Sequence, residues 1–153
     1  MKAKSDVSSL ETHIGYWLRY VSNHVSQAFS RKLTAEEITV SEWVALRCLY
    51  DLEEGTQNDL AQAMGMTKAP VSRILDRLVV KQLVRRAESA EDARARLVGL
   101  TAKGRAVVPR LARIADINDR TFFSCLSQKE QAAIVHTMRK LVAHHGLTRL
   151  PIE

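Results

Sequence analysis

At 153 residues, with an apolar fraction of 46% and a charged fraction of 26%, the chain has the composition of one compact folded unit. It has no run of about 18 apolar residues and no apolar segment near its N-terminus, which argues against a transmembrane helix and a secretory signal, so we expect a cytoplasmic protein. The net charge of +6 favours an anionic partner.

The positive charge is unevenly distributed along the chain. Residues 1–55 contain six Lys and Arg against eight Asp and Glu, a net charge of −2. Residues 56–104 contain nine against five, and residues 105–153 contain eight against four, so each of these segments carries +4. A basic middle segment is typical of a domain that binds nucleic acid. We expect no membrane binding, because the basic helix in this segment is short and has Asp76 in the middle of its polar face.

The N-terminal third predicts two helices. From Leu10 to Val25 apolar residues recur at intervals of three and four, which is typical of a long helix packed against another helix. Thr39-Val-Ser-Glu42 is a capping box. It predicts the start of a second helix, which ends at Gly55 and lies buried behind the elements that follow.

Residues 56–78 predict a short helix, a tight turn and a second helix. Thr56 caps the first helix, and Gly65 ends it in a left-handed conformation. Thr67 caps the second helix, and Pro70 falls in its first turn, where a missing N–H does no harm. The apolar positions of this helix recur at helical spacing, and its other face is basic and rich in hydroxyl groups. This is the helix-turn-helix pattern, although an amphipathic helical pair with a solvated charged face shares it.

The residues after this pair favour the helix-turn-helix. Residues 83–87 and 94–100 are short extended segments, and the polar residues 89–93 form a turn between them. A hairpin directly after the second helix makes a winged helix-turn-helix, in which a basic finger lies beside a basic helix.

Two further helices are predicted at the C-terminal end. Thr101 starts the first, in which Pro109 either produces a kink or marks the real start. Ser127-Gln-Lys-Glu130 is a second capping box, and the last helix ends at Gly146. The first helix and these two carry wide apolar stripes but make only a thin layer. A homodimer with interdigitated helices would bury that surface and place two recognition helices about one turn of DNA apart.

One set of residues runs from the helix-turn-helix through the wing. Its first part is Thr56, Gln57, Leu60, Ala61, Thr67, Val71, Ser72, Arg73 and Leu78. Its second part is Leu83, Val84, Arg86, Asp92, Arg94, Val98, Leu100, Thr101 and Gly104. With these residues the chain resembles the MarR family of transcriptional regulators over nearly its whole length. The most specific part of the resemblance is the wing segment from Asp92 to Gly104.

The resemblance implies a mainly α-helical fold with a small β-hairpin wing. It implies a winged helix-turn-helix at residues 33–104 and a helical dimerisation region built from residues 8–32 and 105–148. Two departures concern the wing. Gln82 stands where the family usually has Gly, which costs on the order of 1 kcal/mol if the backbone there is left-handed. The wing turn also lacks the Pro often found before Asp92.

The winged helix-turn-helix presents a set of polar residues as candidates for DNA contact. Arg73 is the best candidate for a bidentate contact with guanine, and Lys68 for a contact with phosphate. The complete set is Gln57, Asn58, Thr67, Lys68, Ser72, Arg73, Arg77 and Arg94. In the resemblance Arg94 reaches the minor groove from the wing, and Arg86 and Asp92 form an ion pair that braces it. We interpret Arg85 and Arg96 as solvated surface charges.

Three other kinds of site are disfavoured. The five His residues have no ligand spacing with Cys or carboxylates, so we expect no metal ion and no cofactor. Cys48 lies in an apolar stripe, where thiols are usually inert, and it has no CxxC spacing with Cys125. No Ser/His/Asp set, Gly-rich phosphate loop or carboxylate pair stands out, so we expect no enzyme.

The first two helices concentrate aromatic residues around one cation. The candidate ligand-binding set is Tyr16, Trp17, Arg19, Tyr20 and Trp43. Arg19 would pair with a carboxylate of the ligand. For Trp17 and Trp43 core packing is the stronger interpretation, and for Arg19 a structural role is equally consistent.

These observations predict a homodimeric regulator that binds a pseudo-palindromic operator in double-stranded DNA. The resemblance to the MarR family implies a repressor that a small molecule, such as an aromatic acid, releases from the DNA. The alternatives are a DNA-binding protein without an effector, a winged helix used for protein contacts, and a redox-responsive regulator.

Overall fold

A computed structural model describes residues 7–88 and 96–148 of the chain. Within these ranges the fold has six α-helices: α1 (Ile14–Thr34), α2 (Val40–Leu52), α3 (Gln57–Met64), α4 (Lys68–Val80), α5 (Ala102–Phe122) and α6 (Gln128–His145). Three short strands accompany them: β1 (Glu54–Thr56), β2 (Val84–Glu88) and β3 (Arg96–Leu100). None of these helices is long and apolar enough to span a membrane.

The strands form one antiparallel sheet in the order β1-β3-β2. Val84 faces Leu100 and Glu88 faces Arg96 across the β2–β3 pair, while Glu54 faces Gly99 across the β1–β3 pair. The core lies among this sheet, helices α2, α3 and α4, the end of α1 and the first half of α5. Its largest fully buried apolar side chains are Leu33, Leu46, Leu49, Leu60, Val71, Leu75, Leu78, Val98 and Leu111. The predicted winged helix-turn-helix is therefore confirmed.

The predicted helix starts depend on hydrogen bonds between residues three apart. In both predicted capping boxes the side-chain oxygen of Thr39 or Ser127 accepts a backbone N–H, and Glu42 or Glu130 accepts in return. Thr56 and Asp59 form a third such box. Hydrogen bonds from the hydroxyl and the backbone N–H of Thr56 lower the pKa of Asp59.

Several predicted boundaries are wrong. Extended backbone at His13 separates a short 3-10 helix, Leu10–Thr12, from α1, so the first helix does not run unbroken from Leu10. The second helix ends at Leu52 rather than Gly55, because Glu53 has a φ of 61° and Glu54–Thr56 pair with β3 as the unpredicted strand β1. Pro109 lies inside α5, so it does not mark the start of that helix.

The first hairpin strand lies one residue from its predicted position, since it begins at Val84 rather than Leu83. The second predicted strand is confirmed at Arg96–Leu100, and its first two predicted residues, 94 and 95, lie outside the described residues. The predicted turn at 89–93 lies outside the described residues.

The turn from α4 into β2 contains the departure from the family pattern. Gln82 has a φ of 60°, so the backbone is left-handed there although the side chain is not that of glycine. A residue with a Cβ costs about 1–2 kcal/mol in this conformation. The expected conformational cost is therefore present, and the chain still makes the turn.

Two helices, α1 and α6, carry several apolar side chains that the described part of this chain leaves exposed. On α1 and the segment before it, Leu10, Ile14, Trp17 and Val21 are exposed, and on α6 Ile134, Val135, Leu141 and Val142 are exposed. Most helical stability in proteins comes from packing of an apolar face, and α6 buries no residue within one chain.

Candidate nucleic-acid interface

Helix α4 has one buried face and one polar face. Val71, Ile74, Leu75 and Leu78 are buried against the core, at the spacing the sequence predicts. On the opposite face Thr67, Lys68, Arg73 and Arg77 are exposed, and Ser72 is half-buried. The structure therefore presents five of the predicted DNA-contact residues on one helix and its cap.

The N-terminal end of α4 differs from the other capped ends. Thr67 occupies the cap position, but its side chain makes no capping hydrogen bond, so the prediction that it caps the helix is wrong. Gln57 donates to the backbone oxygen of Lys68 at 3.2 Å. The open helix end borders a polar cleft of about 760 Å³, lined by Asn58, Ala61, Gln62, Met66, Thr67, Lys68 and Thr148. Free N–H groups at a helix N-terminus favour a bound anion.

The C-terminal half of α4 is held by a buried carboxylate. Glu42 is fully buried at the start of α2. Its carboxylate accepts hydrogen bonds from Arg77 Nε at 3.1 Å, Lys81 Nζ at 2.7 Å and the backbone N–H of Thr39 at 2.9 Å. Lys81 also donates to the backbone oxygen of Glu37 at 2.6 Å. We call this group of contacts the Glu42 node.

The Glu42 node lowers the pKa of Glu42 and occupies part of the hydrogen-bonding capacity of Arg77. Burial by itself would raise the pKa of Glu42, but the hydrogen bonds from Lys81, Thr39 and Arg77 outweigh it and lower the pKa below its ordinary value. Arg77, which the sequence assigns to phosphate contact, already has a partner inside the protein. Its side chain is still 49% exposed, so it also faces solvent.

Two ion pairs fix the wing to the helical part of the domain. Arg86 on β2 pairs with Asp76 on α4 at 2.7 Å, and Arg85 pairs with Glu54 on β1 at 2.7 Å. Arg86 thus braces the wing through Asp76. The predicted partner Asp92, and the predicted minor-groove residue Arg94, lie outside the described residues. Arg85 is an exposed residue with a salt bridge rather than a purely solvated charge.

The predicted ligand-binding residues fall into two groups. The rings of Tyr16, Trp17 and Tyr20 lie 5.3–6.2 Å apart, on the part of α1 where Arg19 is also exposed. Trp43 instead lies edge-on to Phe29, with ring centroids 6.4 Å apart, and is partly buried against the core, as the core-packing interpretation predicted. Trp17 is 47% exposed, so core packing is wrong for that residue within one chain.

A small cleft lies next to the aromatic group on α1. It has a volume of about 320 Å³ and is lined by Tyr20, Val21, His24 and Phe122. A volume of this order accommodates a small aromatic molecule.

The two cysteines lie in different settings. Burial raises the pKa of the Cys48 thiol, which keeps it protonated. Cys125 is exposed, and both cysteines are free. In residues 7–88 and 96–148 no three His, Cys, Asp or Glu side chains converge in a way that could hold a metal ion.

Comparison with known proteins decides the family. Residues 38–95 match the MarR family model. The chain is 33% identical over 106 residues to the transcriptional regulator HosA of Escherichia coli O157:H7, an alignment that covers 69% of this chain and 78% of HosA. The chain belongs to the MarR family.

Two more MarR-family proteins resemble this chain over most of its length. The HTH-type transcriptional repressor NicR of Pseudomonas putida is 25% identical over 129 residues, which are 84% of this chain and 82% of NicR. The structure of Bordetella bronchiseptica BpsR, whose DNA binding is regulated by 6-hydroxynicotinic acid, superposes with a TM-score of 0.82 at 26% identity. That match covers 88% of this chain and 96% of BpsR.

The Glu42 node is the feature of this MarR-family protein that the sequence alone did not reveal. Glu42 was recognised only as the closing residue of a capping box, which accounts for its contact with Thr39. Its other partners, Arg77 and Lys81, lie 35 and 39 residues further along the chain. The available signal was that Arg77 and Lys81 are four apart on α4 and so share a face.

Replacing Glu42 with Gln should destabilise the fold at neutral pH by about 2–4 kcal/mol, because the amide cannot balance the charges of Arg77 and Lys81. The loss of stability caused by Glu42→Gln should depend on pH. Since folding lowers the pKa of Glu42, its contribution is complete above the ordinary glutamate value of about 4.3 and is lost as the pH falls through the lower folded value. Urea unfolding at several pH values measures both.

Asp51→Asn is the matched control, since Asp51 forms an exposed ion pair with Arg47 on the same helix. It should change the free energy of unfolding by less than about 1 kcal/mol. A Glu42→Gln variant as stable as the Asp51→Asn variant at pH 7 would show that the node does not hold the domain together.

Proposed function

We propose that this protein is a homodimeric transcriptional repressor that reads a pseudo-palindromic operator with α4 and is released by a small aromatic acid. The observation that carries the proposal is the polar face of α4, which combines exposed Lys68 and Arg73 with an open helix end. A phosphate at that end would meet backbone N–H groups and the charge of Lys68. Arg73, one turn further along the helix, would meet base edges in the major groove.

The other proposed DNA contacts surround this pair. Asn58, Gln57 and Thr67 border the open end of α4 and would bind backbone phosphates. Ser72 would add a contact on the polar face of the helix, and Arg77 would contact phosphate with the donors that the Glu42 node leaves free. The wing, with Arg94 beyond the described part of β3, would enter the neighbouring minor groove.

The proposed dimer uses the helices outside the winged helix-turn-helix. We assign residues 33–104 to DNA binding, and residues 8–32 and 105–148 to dimerisation. Support comes from the uncovered apolar side chains of α1 and α6, because helix α6 has no buried residue in one chain. A second copy would supply the missing packing for both helices.

The proposed effector site lies on α1, around Tyr16, Trp17, Arg19 and Tyr20. The three rings offer aromatic faces, and the guanidinium of Arg19 would pair with the carboxylate of the ligand. The neighbouring cleft has room for one aromatic ring. Regulation of BpsR by 6-hydroxynicotinic acid supports an aromatic acid as the effector class. Trp43 would contribute through its packing against Phe29 rather than by contact.

Dimerisation predicts a sedimenting species of twice 17.2 kDa at micromolar concentration. Val142→Asp should raise the dimer dissociation constant by at least about tenfold, because it buries a charge between apolar helices. Val80→Asp is the matched control: Val80 is 83% exposed at the end of α4, and the same change there should leave the dimer intact. Equal sedimentation of the two variants would contradict the proposed interface.

Arg73→Ala should weaken operator binding by about 1–3 kcal/mol and relax the preference at one or two base positions. Lys68→Ala should weaken binding to all DNA sequences by the same factor and reduce the slope of log K against log salt concentration by about one. Selection of binding sites from random duplexes, followed by titration at several salt concentrations, measures both effects.

Arg47→Ala removes one charge from α2 and controls for the loss of general electrostatic attraction. It should preserve the base preferences of the parent. If Arg73→Ala weakens binding to unrelated DNA by the same factor as binding to the operator, Arg73 does not contact bases specifically.

Arg19→Ala should leave operator affinity within about twofold of the parent and abolish release by an aromatic acid, because a ligand shifts DNA binding only through its preference for one conformation. Titration of hydroxylated benzoic and nicotinic acids against the operator complex provides the measurement. Arg31→Ala, on the same helix, is the control and should respond as the parent does. A normal response from Arg19→Ala would place the effector elsewhere, and no response from the parent would favour a regulator without an effector.

A further inference from the structure

The residues between α4 and β2 are held by the start of α5. Three consecutive backbone oxygens follow the end of α4, and each accepts a hydrogen bond from the beginning of the α5 segment. Thr101 Oγ1 donates to the oxygen of Gln82 at 2.7 Å, and the backbone N–H of Thr101 donates to the oxygen of Leu83 at 3.1 Å. Lys103 Nζ donates to the oxygen of Lys81 at 3.1 Å. We call this set of contacts the α4–α5 joint.

Gly104 brings the two backbones into direct contact at this joint. A Cβ built on Gly104 would lie 2.0 Å from the backbone oxygen of Leu83 and 2.9 Å from its carbonyl carbon. Both atoms belong to the backbone, so no side-chain rotation can relieve the clash. Gly104 is also buried, and its N–H donates to Thr101 Oγ1 at 3.0 Å. The absence of a side chain is therefore what allows α5 to start this close to the end of α4.

The same turn is held from its other side by the Glu42 node. Lys81 donates through its side chain to Glu42 and to the backbone oxygen of Glu37, while its own backbone oxygen accepts from Lys103. The C-terminal end of α4 is thus bonded to the α1–α2 connection, to the start of α2 and to the start of α5. These contacts leave the recognition helix little freedom to rotate relative to α5.

We propose that Thr101 and Gly104 are positioning residues that set the half-site spacing of the operator, although neither belongs to the DNA-contacting face. The proposal rests on the proposed function, in which α5 belongs to the dimerisation region and α4 reads DNA. If α4 and the first turns of α5 move as one body, the angle of α5 in the dimer fixes the distance and rotation between the two copies of α4.

The shift of α5 that a side chain at position 104 would cause is large enough to change the preferred half-site spacing. A Cβ at position 104 would lie 2.0 Å from the Leu83 oxygen, and real Cβ contacts are essentially never shorter than 3.0 Å. The two backbones must therefore separate by at least 1 Å. Gly104 lies about 4.5 Å beyond Thr101 along a helix that is about 31 Å long, so such a shift moves the far end of α5 by several ångströms. Two operators whose half-site spacing differs by one base pair differ by about 3.4 Å along the DNA axis and by about 35° of rotation around it. The displacement is thus comparable with one step in spacing.

The experiment measures dimer binding to a set of duplexes whose two half-sites are moved apart or together by one base pair at a time. The parent protein should prefer one spacing by about tenfold or more over its neighbours. Gly104→Ala should shift the preferred spacing or reduce the preference to below about threefold, while binding to a duplex with a single half-site stays within about twofold of the parent. Gly55→Ala is the matched control, because Gly55 lies outside the proposed dimer and DNA contacts and a Cβ there meets only the Asp59 side chain, at 3.4 Å.

A second substitution decides the matter if Gly104→Ala does not fold. Thr101→Val removes the hydrogen bond to Gln82 and should broaden the spacing preference in the same assay. Thr101→Ser keeps the hydroxyl and should restore the parent profile. A merely structural role would lower affinity for every spacing by one factor, and a Thr101→Val profile parallel to that of the parent overturns the proposal. Failure of the proposed function itself has a different signature: the parent then sediments as a monomer or selects no sequence.

Discussion

Burying a carboxylate costs free energy unless hydrogen-bond donors surround it. The start of α2 buries Glu42 completely, and three donors surround its carboxylate. One donor comes from its own capping box, and the others are Arg77 and Lys81 on the recognition helix. Since a buried charge and its partners require each other, α2 and α4 can pack in only a narrow range of orientations. The polar face of α4 is presented to solvent because this packing orients its opposite face toward the core.

The joint between α4 and α5 extends that constraint toward the terminal helices. Lys81 takes part in both sets of contacts, through its ammonium group and through its backbone oxygen. In the proposed dimer, a ligand or a second chain that tilts α5 would act on α4 through these hydrogen bonds rather than through a flexible linker. The left-handed backbone at Gln82 belongs to the same turn. Local backbone strain is tolerated where surrounding contacts over-determine the conformation, and this turn has such contacts on two sides.

The outer helices obey a different constraint. Helices α2, α3 and α4 bury their apolar faces within one chain, whereas α1 and α6 expose theirs. Among the described residues, the winged helix-turn-helix has its own core, whereas many apolar side chains of α1 and α6 stay exposed. In the proposed dimer these side chains would form a layer between two chains, and that layer would set the relative placement of the two winged helix-turn-helix units.

The amino-acid sequence by itself determined the helices, most of their caps and the helix-turn-helix, because these depend on neighbours three or four residues apart, and its two short extended segments indicated the hairpin. Thr39 with Glu42, Ser127 with Glu130, and the stop at Gly65 are of this kind. Only the tertiary structure decided that Arg77 serves Glu42, that Arg86 pairs with Asp76, and that residues 54–56 form a strand. Each of those contacts joins residues whose separation along the chain carries no periodic signal, so the packing of the core had to bring them together.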